Sequence, residues 1–268
     1  MPLALITPTR RRWHWLRKQA RAIAGQLAPD DCWIIIVDND QANQRAVNEI
    51  AELIPARQLT WLHASYTRPE PPMGCVNRLR NAATALAPAR HDIVEVDDHD
   101  LLAPYALAEI RMALAAGYDY VFGWYHQQAV VESSLSLRER VRVRADEVAD
   151  YSQLPSALTP ALSRRERESI EPWPDVRHRY SRGAFERREI DGIGVRAFQR
   201  WLWTKLGGWA AHVWPGGDYH FALRAEAIGA KIVCIEQPLC TVTIEAESIS
   251  ASFARGPWRL SADRTPSA

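Results

Sequence analysis

The chain has 268 residues, of which 47% are hydrophobic and 24% are charged, and its formal net charge is +1. A chain of this length forms one large domain or two small ones, and it can bury a substantial core. The balanced charge gives no global field that would attract nucleic acid or an anionic membrane, so we expect no nucleic-acid partner.

Short apolar runs alternate with helical stretches over the first half of the chain. The predicted strands are 3–7, 32–38, 58–64, 92–96 and 118–125. The predicted helices between them are 13–27, 42–54, 76–86 and 106–116. Strands that alternate with helices form βαβ units. The pattern therefore predicts an α/β fold with a Rossmann-like, mostly parallel central sheet flanked by helices.

The chain changes character over residues 133–183, which are rich in Ser, Pro, Arg and Glu and lack apolar periodicity. This composition predicts an irregular insertion or a mobile loop. Two interpretations remain open. The tract "LTPALSRRERE" resembles a translated palindromic repeat and would carry no chemistry, or the segment forms a lid over an acceptor site. We predict a single domain over 1–255 and a loosely ordered tail over 256–268.

Acidic side chains follow two of the predicted strands. Asp38 ends the second strand, and the acidic cluster of Asp97, Asp98, His99 and Asp100 follows the fourth. Ligands of parallel sheets bind at the carboxyl ends of the strands, where both features lie. Neighbouring carboxylates repel each other unless a cation is present, and Mg²⁺ or Mn²⁺ prefers oxygen ligands. The alternative is a solvated acidic turn that caps the helix beginning near Pro104.

Two common phosphate-binding devices are missing from the sequence. The turn after the first strand reads "TPTRRR" instead of G-x-G-x-x-G, and there is no G-x-x-x-x-G-K-[ST] motif. Both absences disfavour a dinucleotide-binding Rossmann domain and a P-loop NTPase.

Five segments, taken in order, resemble the family 2 glycosyltransferases of the GT-A fold. They are "ITPTRRRWHWLRKQARAIAGQ", "IIIVDND", "NRLRNAATALA", "VEVDDHDLLAPYAL" and "LWTKLGGW" with "PGGDYHFALRAEAIGAKIVCIEQPL". Each motif is weak alone, and their shared order carries the resemblance. It covers about residues 2–125 and 192–239.

The resemblance implies a nucleotide-sugar site at matching positions. The residues that would bind the nucleotide sugar are Thr7, Pro8, Thr9, Asp38, Arg80, Asp97 and Asp98. Thr7 and Thr9 would line the nucleotide pocket, Asp38 would bond the base or ribose, and Arg80 would approach the nucleotide. Without the resemblance, Thr7 and Thr9 would belong to an ordinary polar turn. Asp38 would be a satisfied turn carboxylate, and Arg80 a solvated helix residue.

The resemblance also implies a bound Mn²⁺ or Mg²⁺ ion, in one of two motif registers. Asp97-Asp98-His99 reads as D-x-H, and Asp98-His99-Asp100 reads as D-x-D. Both registers predict a metal, with ligands drawn from Asp98, His99 and Asp100. They differ in whether His99 is a ligand.

Asp218 matches the second acid of the family's E-D pair, which implies the catalytic base. It could instead only cap the helix that follows "PGG". The sequence departs from the family here, because Gly217 replaces the glutamate and His220 replaces a later aspartate. Trp209 follows a G-G pair, where it would stack on an acceptor sugar or simply pack.

The resemblance implies a glycosyltransferase that moves a sugar from a nucleotide-diphosphate donor to a hydroxyl acceptor, with inversion. The acceptor would be a glycan, lipid-linked saccharide, protein or small molecule, and surface polysaccharide assembly is the setting by analogy. One alternative is a sugar-phosphate nucleotidyltransferase, although no G-G-x-G-x-R-like loop follows the first strand. The other is a non-catalytic, degenerate GT-A module that binds a sugar nucleotide or a partner.

The cysteines and the apolar runs suggest a location. Cys32, Cys75, Cys234 and Cys240 form no C-x-x-C pair, so a zinc site is disfavoured, and reduced thiols suit the cytoplasm. No apolar run approaches the roughly 18 residues of a membrane span. We expect a cytoplasmic protein without a transmembrane segment, with a peripheral membrane contact left open.

Overall fold

The computed structural model describes residues 1–10, 12–38, 43–64, 75–132, 168–190, 193–213 and 216–244. The strands are β1 Leu3–Thr9, β2 Cys32–Asp38, β3 Leu59–Ala64, β4 Asp92–Glu95, β5 Asp100–Leu102, β6 Tyr120–Glu132, β7 Glu168–Val176, β8 Arg196–Phe198 and β9 Ile232–Ile244. The helices are α1 Trp13–Ala24, α2 Gln44–Leu53, α3 Cys75–Leu86, α4 Ala106–Ala115, α5 Arg200–Leu206 and α6 Gly217–Ala227.

The strands form a mixed sheet in the order β3-β2-β1-β4-β8-β6-β9-β5, and β7 pairs with β6 beside this path. The four strands β3, β2, β1 and β4 are parallel. By contrast, β8 runs antiparallel to both of its neighbours, and β5 runs antiparallel to β9. Every residue of β1 is buried, because a central parallel strand is covered on both faces.

Helices cover both faces of the sheet, and the alternation along β1 separates the two cores. Leu3 and Leu5 point into a core shared with α1, α2 and α4. Ala4 and Ile6 point into the other, shared with α3, α5 and α6. Successive strand residues face opposite sides, so one apolar strand serves both layers. The predicted α/β fold class is confirmed. In the part of the chain that the structure describes, no helix is long and apolar enough to span a membrane.

The chain divides into two compact units. The first is Met1–His126 with Pro174–Val242, and it contains the predicted site. The second is Gln127–Trp173 with Thr243–Ala268, of which the structure describes 127–132, 168–173 and 243–244. Within it, the Gln128 side-chain amide donates a hydrogen bond to the Thr243 hydroxyl over 2.8 Å. The single domain over 1–255 stays a prediction, and the tail over 256–268 lies outside the described residues.

Strands β5, β7 and β8 appear where the sequence pattern did not predict them. The segment predicted to be irregular contains β7, although its residues 133–167 lie outside the described part. Pro172 and Pro174 explain why no strand was predicted here. Proline lacks the N–H that a sheet ladder needs and is tolerated mainly in edge strands. No strand was predicted over residues 100–102, but Asp100 pairs with Val242, a partner too distant for any local pattern to show.

Candidate functional site

The predicted site residues converge at the carboxyl ends of the parallel strands. β1 lies between β2 and β4, so its end at Thr9 has Asp38 on one side and the acidic cluster on the other. Asp38 is buried at the end of β2. Pro8 is buried within β1 and pairs with Ile36. The common strand direction therefore brings residues about 90 positions apart to one edge of the sheet.

Helix α1 fastens the turn that carries the acidic cluster. The Gln19 side-chain amide is fully buried and donates hydrogen bonds to the carbonyls of Asp97, over 2.8 Å, and Asp100, over 3.0 Å. The Asp100 amide also donates to the Asp97 carbonyl, which closes the turn. Because two carbonyls of the turn depend on one buried amide, Gln19 sets the position of the cluster relative to β1.

Thr7 and Thr9, both predicted to line the nucleotide pocket, have different surroundings. The Thr7 hydroxyl is buried, donates to the Gln19 carbonyl oxygen over 3.4 Å and accepts from the Trp33 indole over 2.9 Å. These internal bonds occupy it, so its side chain belongs to the core and does not line a pocket. The Thr9 hydroxyl instead donates to Oδ2 of Asp98 over 2.8 Å, within the acidic cluster.

The guanidinium of Arg12 lies between two members of the acidic cluster. Its Nη1 is 3.2 Å from Oδ1 of Asp98 and 2.9 Å from Nδ1 of His99. Arg12 directly precedes α1, and the Asp98 side chain is only 7% exposed. Arg12 is not among the predicted site residues, and its only signal in the sequence is membership of the arginine run after the first strand.

Opposing effects act on the protonation of His99. Burial disfavours the imidazolium, but the hydrogen bond to Asp98 and the charge of Asp100 outweigh it and raise the pKa of His99 to about 9. The contact with Arg12 favours the neutral ring, because a guanidinium only donates hydrogen bonds. The 3.2 Å contact from Nδ1 to Oδ1 of Asp98 instead requires a proton on Nδ1, in line with the raised pKa, and Nε2 lies 3.9 Å from Oδ1 of Asp100.

Asp100 is the least satisfied member of the acidic cluster. Its Oδ1 is buried and has no hydrogen-bond partner among the described residues. Burial is the main reason that the pKa of Asp100 is raised to about 7. A buried acceptor without a partner requires an explanation, and an unseen cation is one.

The cluster has the residue types of a Mn²⁺ or Mg²⁺ site, but they are not arranged as a ready set of ligands. Carboxylate oxygens and a neutral imidazole suit Mn²⁺, and the unpaired Oδ1 of Asp100 provides an available ligand atom. Among the described residues, no three His, Cys, Asp or Glu side chains form a group that could hold a metal. Asp98 and His99 converge on Arg12 instead.

Asp97 lies between two arginines. Nη2 of Arg80 donates to its Oδ1 over 2.6 Å, and Nη2 of Arg196 lies 3.8 Å from the same oxygen. Burial opposes the charge on Asp97, but Arg80 and then Arg196 outweigh it and hold its pKa well below the usual range. The Asp97 side chain is 31% exposed above two nearly inaccessible arginines. The predicted Arg80 therefore contacts the acidic cluster.

A buried ion pair that the sequence analysis missed lies beneath Asp97. Nε of Arg196 donates to Oε2 of Glu95 over 3.0 Å, and Arg80 lies 3.6 Å from the same oxygen. Burial disfavours the charge on Arg196, but the surrounding carboxylates, Asp218 among them, outweigh burial and raise its pKa. The available signal was a charge inside each apolar strand, in "IVEV" and "GVRAF".

Asp218 lies in the first turn of α6, where its negative charge complements the helix dipole. It does not occupy the N-cap, which is Gly216 with a φ of 80° that favours glycine. Its carboxylate is within electrostatic reach of Arg196, which also neighbours Asp97. Arg196 thus interacts electrostatically with both Asp97 of the acidic cluster and the predicted base.

The departure at Gly217 has a steric cause. A Cβ atom at this position would lie 2.5 Å from both Nδ2 and Oδ1 of Asn77. Asn77 is held in place, because its amide donates to the carbonyls of Ala210, over 3.0 Å, and Val213, over 3.2 Å. An amide from α3 therefore fills the space that a glutamate side chain would enter. Nearby, the ring centroids of His220 and His212 are 6.4 Å apart.

Trp209 is a core residue and not a surface platform for an acceptor sugar. Its side chain is 2% exposed and stacks on Phe221 at 4.4 Å between ring centroids. The guanidinium groups of Arg80 and Arg196 lie 5.2 and 5.3 Å from its ring centroid. The predicted acceptor contact fails because the ring is enclosed, and the packing alternative describes it correctly.

Solved glycosyltransferase structures share this fold. S. aureus TarS 1-349 in complex with UDP-GlcNAc matches with a TM-score of 0.61 at 12% identity, over 94% of this chain and 61% of that one. The mannosyltransferase PcManGT from Pyrobaculum calidifontis, in complex with GDP-Man and Mn²⁺, matches with a TM-score of 0.55 at 17% identity, over 89% and 56%. The chain thus spans less than two thirds of the length of either structure.

No protein-family model and no curated protein matches the sequence. At these identities the structural matches establish the fold alone. The chain therefore has a GT-A-like glycosyltransferase fold, as the order of its motifs implied.

Proposed function

We propose that this protein is a glycosyltransferase that moves a sugar from a nucleotide-diphosphate donor to a hydroxyl acceptor. One observation carries the proposal. The buried Arg196 lies 3.8 Å from Asp97 of the acidic cluster, and its charge also interacts with that of Asp218. Sugar transfer requires two features. Charged groups must stabilise the departing diphosphate, and a separate carboxylate must lie near the attacking hydroxyl. The GT-A-like fold supports the same conclusion.

The donor binds at the carboxyl ends of β1, β2 and β4. Asp38 hydrogen-bonds the base or ribose at the end of β2. Asp97 accepts from the ribose, because Arg80 keeps it ionised and oriented. The hydroxyl of Thr9 holds Asp98 in place from β1. The resemblance of the motifs extends this proposal to family 2 and to a hexosyl donor.

Asp98, His99 and Asp100 would hold Mn²⁺ or Mg²⁺. When bound, the ion supplies positive charge that stabilises the departing diphosphate. Asp218 accepts the proton of the acceptor hydroxyl as its oxygen forms the new bond to the anomeric carbon. The bond from that carbon to the diphosphate breaks in the same displacement, so the configuration inverts. The acceptor is a glycan or another hydroxyl compound, as in polysaccharide assembly.

Replacement of the base separates binding from chemistry. We expect Asp218→Asn to keep donor binding and to lose transfer, because an amide does not accept the proton. Calorimetric titration of UDP, GDP and dTDP, with Mn²⁺ or with EDTA, identifies the nucleotide, and sugar release from the matching donor measures turnover. Asp30→Asn, an exposed carboxylate before β2, is the matched control and should behave as wild type.

Three results would overturn the proposal. Full transfer by Asp218→Asn would remove the assigned base. Pyrophosphate release from a nucleoside triphosphate and a sugar phosphate would instead identify a nucleotidyltransferase. Nucleotide binding without any turnover, across donors and acceptors, would leave a non-catalytic module.

A further inference from the structure

We propose that the loop of residues 178–189, here called the bracing loop, holds α6 in the orientation that presents Asp218 to the acceptor hydroxyl. Tyr219 and Glu226 of α6 are then positioning residues. The inference rests on the proposed function, because it takes Asp218 as the base. It is carried by the contacts that the bracing loop makes along α6.

Helix α6 carries Asp218 on the same side as its buried residues. The spacing i, i+3, i+4 and i+7 is followed by Asp218, Phe221, Ala222 and Ala225, of which the last three are buried. Residues at this spacing lie on one side of a helix. Asp218 therefore points in the direction of the core, in line with its electrostatic interaction with Arg196.

The position of the Asp218 carboxylate depends on how α6 is rotated about its axis. A helix with its side chains has a radius of about 5–6 Å, so a rotation of about 10° moves the carboxylate by about 1 Å. A misplacement of about 1 Å reduces an enzymatic rate by about 100-fold. The N-cap of α6 is Gly216, which has no side chain to fix the start of the helix.

The bracing loop contacts a second side of α6 at two points. Near the start of the helix, the Tyr219 hydroxyl donates a hydrogen bond to the Phe185 carbonyl. Near its end, the Glu226 carboxylate accepts from the Tyr180 hydroxyl over 2.9 Å and from the Gly183 amide over 2.8 Å. Residues seven positions apart, like Tyr219 and Glu226, lie two turns apart on one side of a helix. Two contacts on that side oppose rotation of α6 about its axis.

The bracing loop is itself attached to the core. The His178 carbonyl accepts hydrogen bonds from the Trp124 indole of β6 over 2.7 Å and from the Cys234 thiol of β9 over 3.4 Å. Phe185 is fully buried, with its ring centroid 5.6 Å from that of Phe122 in β6. The loop therefore joins α6 to two strands of the sheet.

The test compares the rate of turnover with the affinity for the donor. We expect Tyr219→Phe and Glu226→Ala each to lower kcat for sugar release from the matching donor by about 10-fold, because Asp218 is displaced by a fraction of an ångström. The donor Kd from calorimetry should not change, since the residues at the strand ends keep their places. Glu226→Gln retains an oxygen acceptor and should keep most of the wild-type kcat.

Tyr105→Phe is the matched control. It removes a hydroxyl that donates to the Pro238 carbonyl over 2.8 Å, the same kind of bond as that of Tyr219. Tyr105 is the N-cap of α4, a helix without a predicted site residue, so kcat should equal that of wild type. Urea unfolding shows the stability that each variant loses. A merely structural role of Tyr219 would lower stability and leave kcat of the folded protein unchanged.

Amide hydrogen exchange measures the same restraint without any activity. The His220 amide donates to the Gly216 carbonyl over 2.9 Å, so its exchange reports on the first turn of α6. We expect faster exchange at His220 in Tyr219→Phe than in wild type, and no change in Tyr105→Phe.

Wild-type kcat in both Tyr219→Phe and Glu226→Ala, while Asp218→Asn loses transfer, would overturn the inference and leave the proposed function intact. A loss of donor affinity as large as the loss of kcat would also overturn it, because the loop would then support the whole site. If wild type releases no sugar from any donor, the proposed function fails, and exchange at His220 decides on the loop. Unchanged exchange in Tyr219→Phe then overturns the inference as well. A folding defect confined to Glu226→Ala leaves the comparison of Tyr219→Phe with Tyr105→Phe decisive.

Discussion

At the scale of single residues, Gly217 shows how a departure from a family pattern can be structural. A glutamate at this position, which the resemblance implied, would meet the Asn77 amide, and Asn77 is itself bonded to two carbonyls. The neighbouring Asp218 remains in the first turn of α6, so the loss of one acid does not displace the other.

Restoring the family residue should therefore destabilise the protein. We expect Gly217→Glu to lower the free energy of unfolding by about 1–3 kcal/mol, the usual cost of overpacking. Urea unfolding measures this, and Asn77→Ala in the same chain should recover part of the loss. Wild-type stability in Gly217→Glu would show that Asn77 moves aside freely.

The buried pair of Glu95 and Arg196 gives a second prediction at this scale. Arg196→Met should cost about 3–5 kcal/mol, because it leaves a buried carboxylate without its closest cation. Adding Glu95→Gln should recover much of the loss, since it removes the stranded charge. Unfolding curves of both variants measure the effect. Breaking the exposed Arg45–Glu49 pair with Glu49→Gln should change little. Simple additivity of the two core changes would contradict the pairing.

At the scale of elements, α1 acts on the site through one side chain. The Gln19 side chain joins the helix to the turn between β4 and β5 by two hydrogen bonds, and so positions the acidic cluster relative to β1. The other end of this turn is held by β5, which pairs with β9 through Asp100 and Val242. The turn that carries the acidic cluster is thus held by α1 and by the pairing of β5 with β9.

Removing this tie should loosen the cluster. Gln19→Leu keeps most of the side-chain volume but removes the donor to the Asp100 carbonyl and one of the two donors to the Asp97 carbonyl, which costs about 1–3 kcal/mol for a buried group. We expect lower stability and weaker nucleotide binding, measured by unfolding and calorimetry. The exposed Gln44→Leu is the control. Unchanged nucleotide affinity in Gln19→Leu would show that the tie does not shape the site.

At the scale of the whole molecule, the sheet order joins two halves of a site that the chain keeps apart. The acidic cluster follows β4, whereas Asp218 arrives with α6 more than 100 residues later. β8 inserts next to β4 and brings Arg196 beside Glu95, and Arg196 interacts electrostatically with both Asp97 and Asp218. The antiparallel strand thus supplies the buried cation that links the two groups of acids in the proposed site.

Ligand binding at this junction should stabilise the folded chain. A nucleotide that binds only the native state adds about 2.7 kcal/mol at a concentration 100 times its Kd. We expect a concentration-dependent rise in the thermal unfolding temperature with one of UDP, GDP or dTDP. Asp98→Asn should reduce the rise. No shift with any nucleotide would argue against a nucleotide site.

The sequence alone determined the order and type of the main elements and the edge of the sheet where the acids lie. Burial on both faces imposes continuous apolar runs on central strands, and one-sided burial imposes a helical period, so both can be recognised locally. The start of β2 at Cys32 and the end of α3 at Leu86 match the predictions for this reason.

Only the tertiary structure decided which side chains complete the site. Gln19 meets Asp97 across 78 positions of the chain, Arg196 meets Glu95 across 101, and Asn77 meets Ala210 across 133. A polar side chain looks the same in the sequence whether water or a buried carbonyl is its partner. The enclosure of Trp209 and the position of Arg12 depend on packing between elements, and no local pattern encodes which distant element will come to lie beside them.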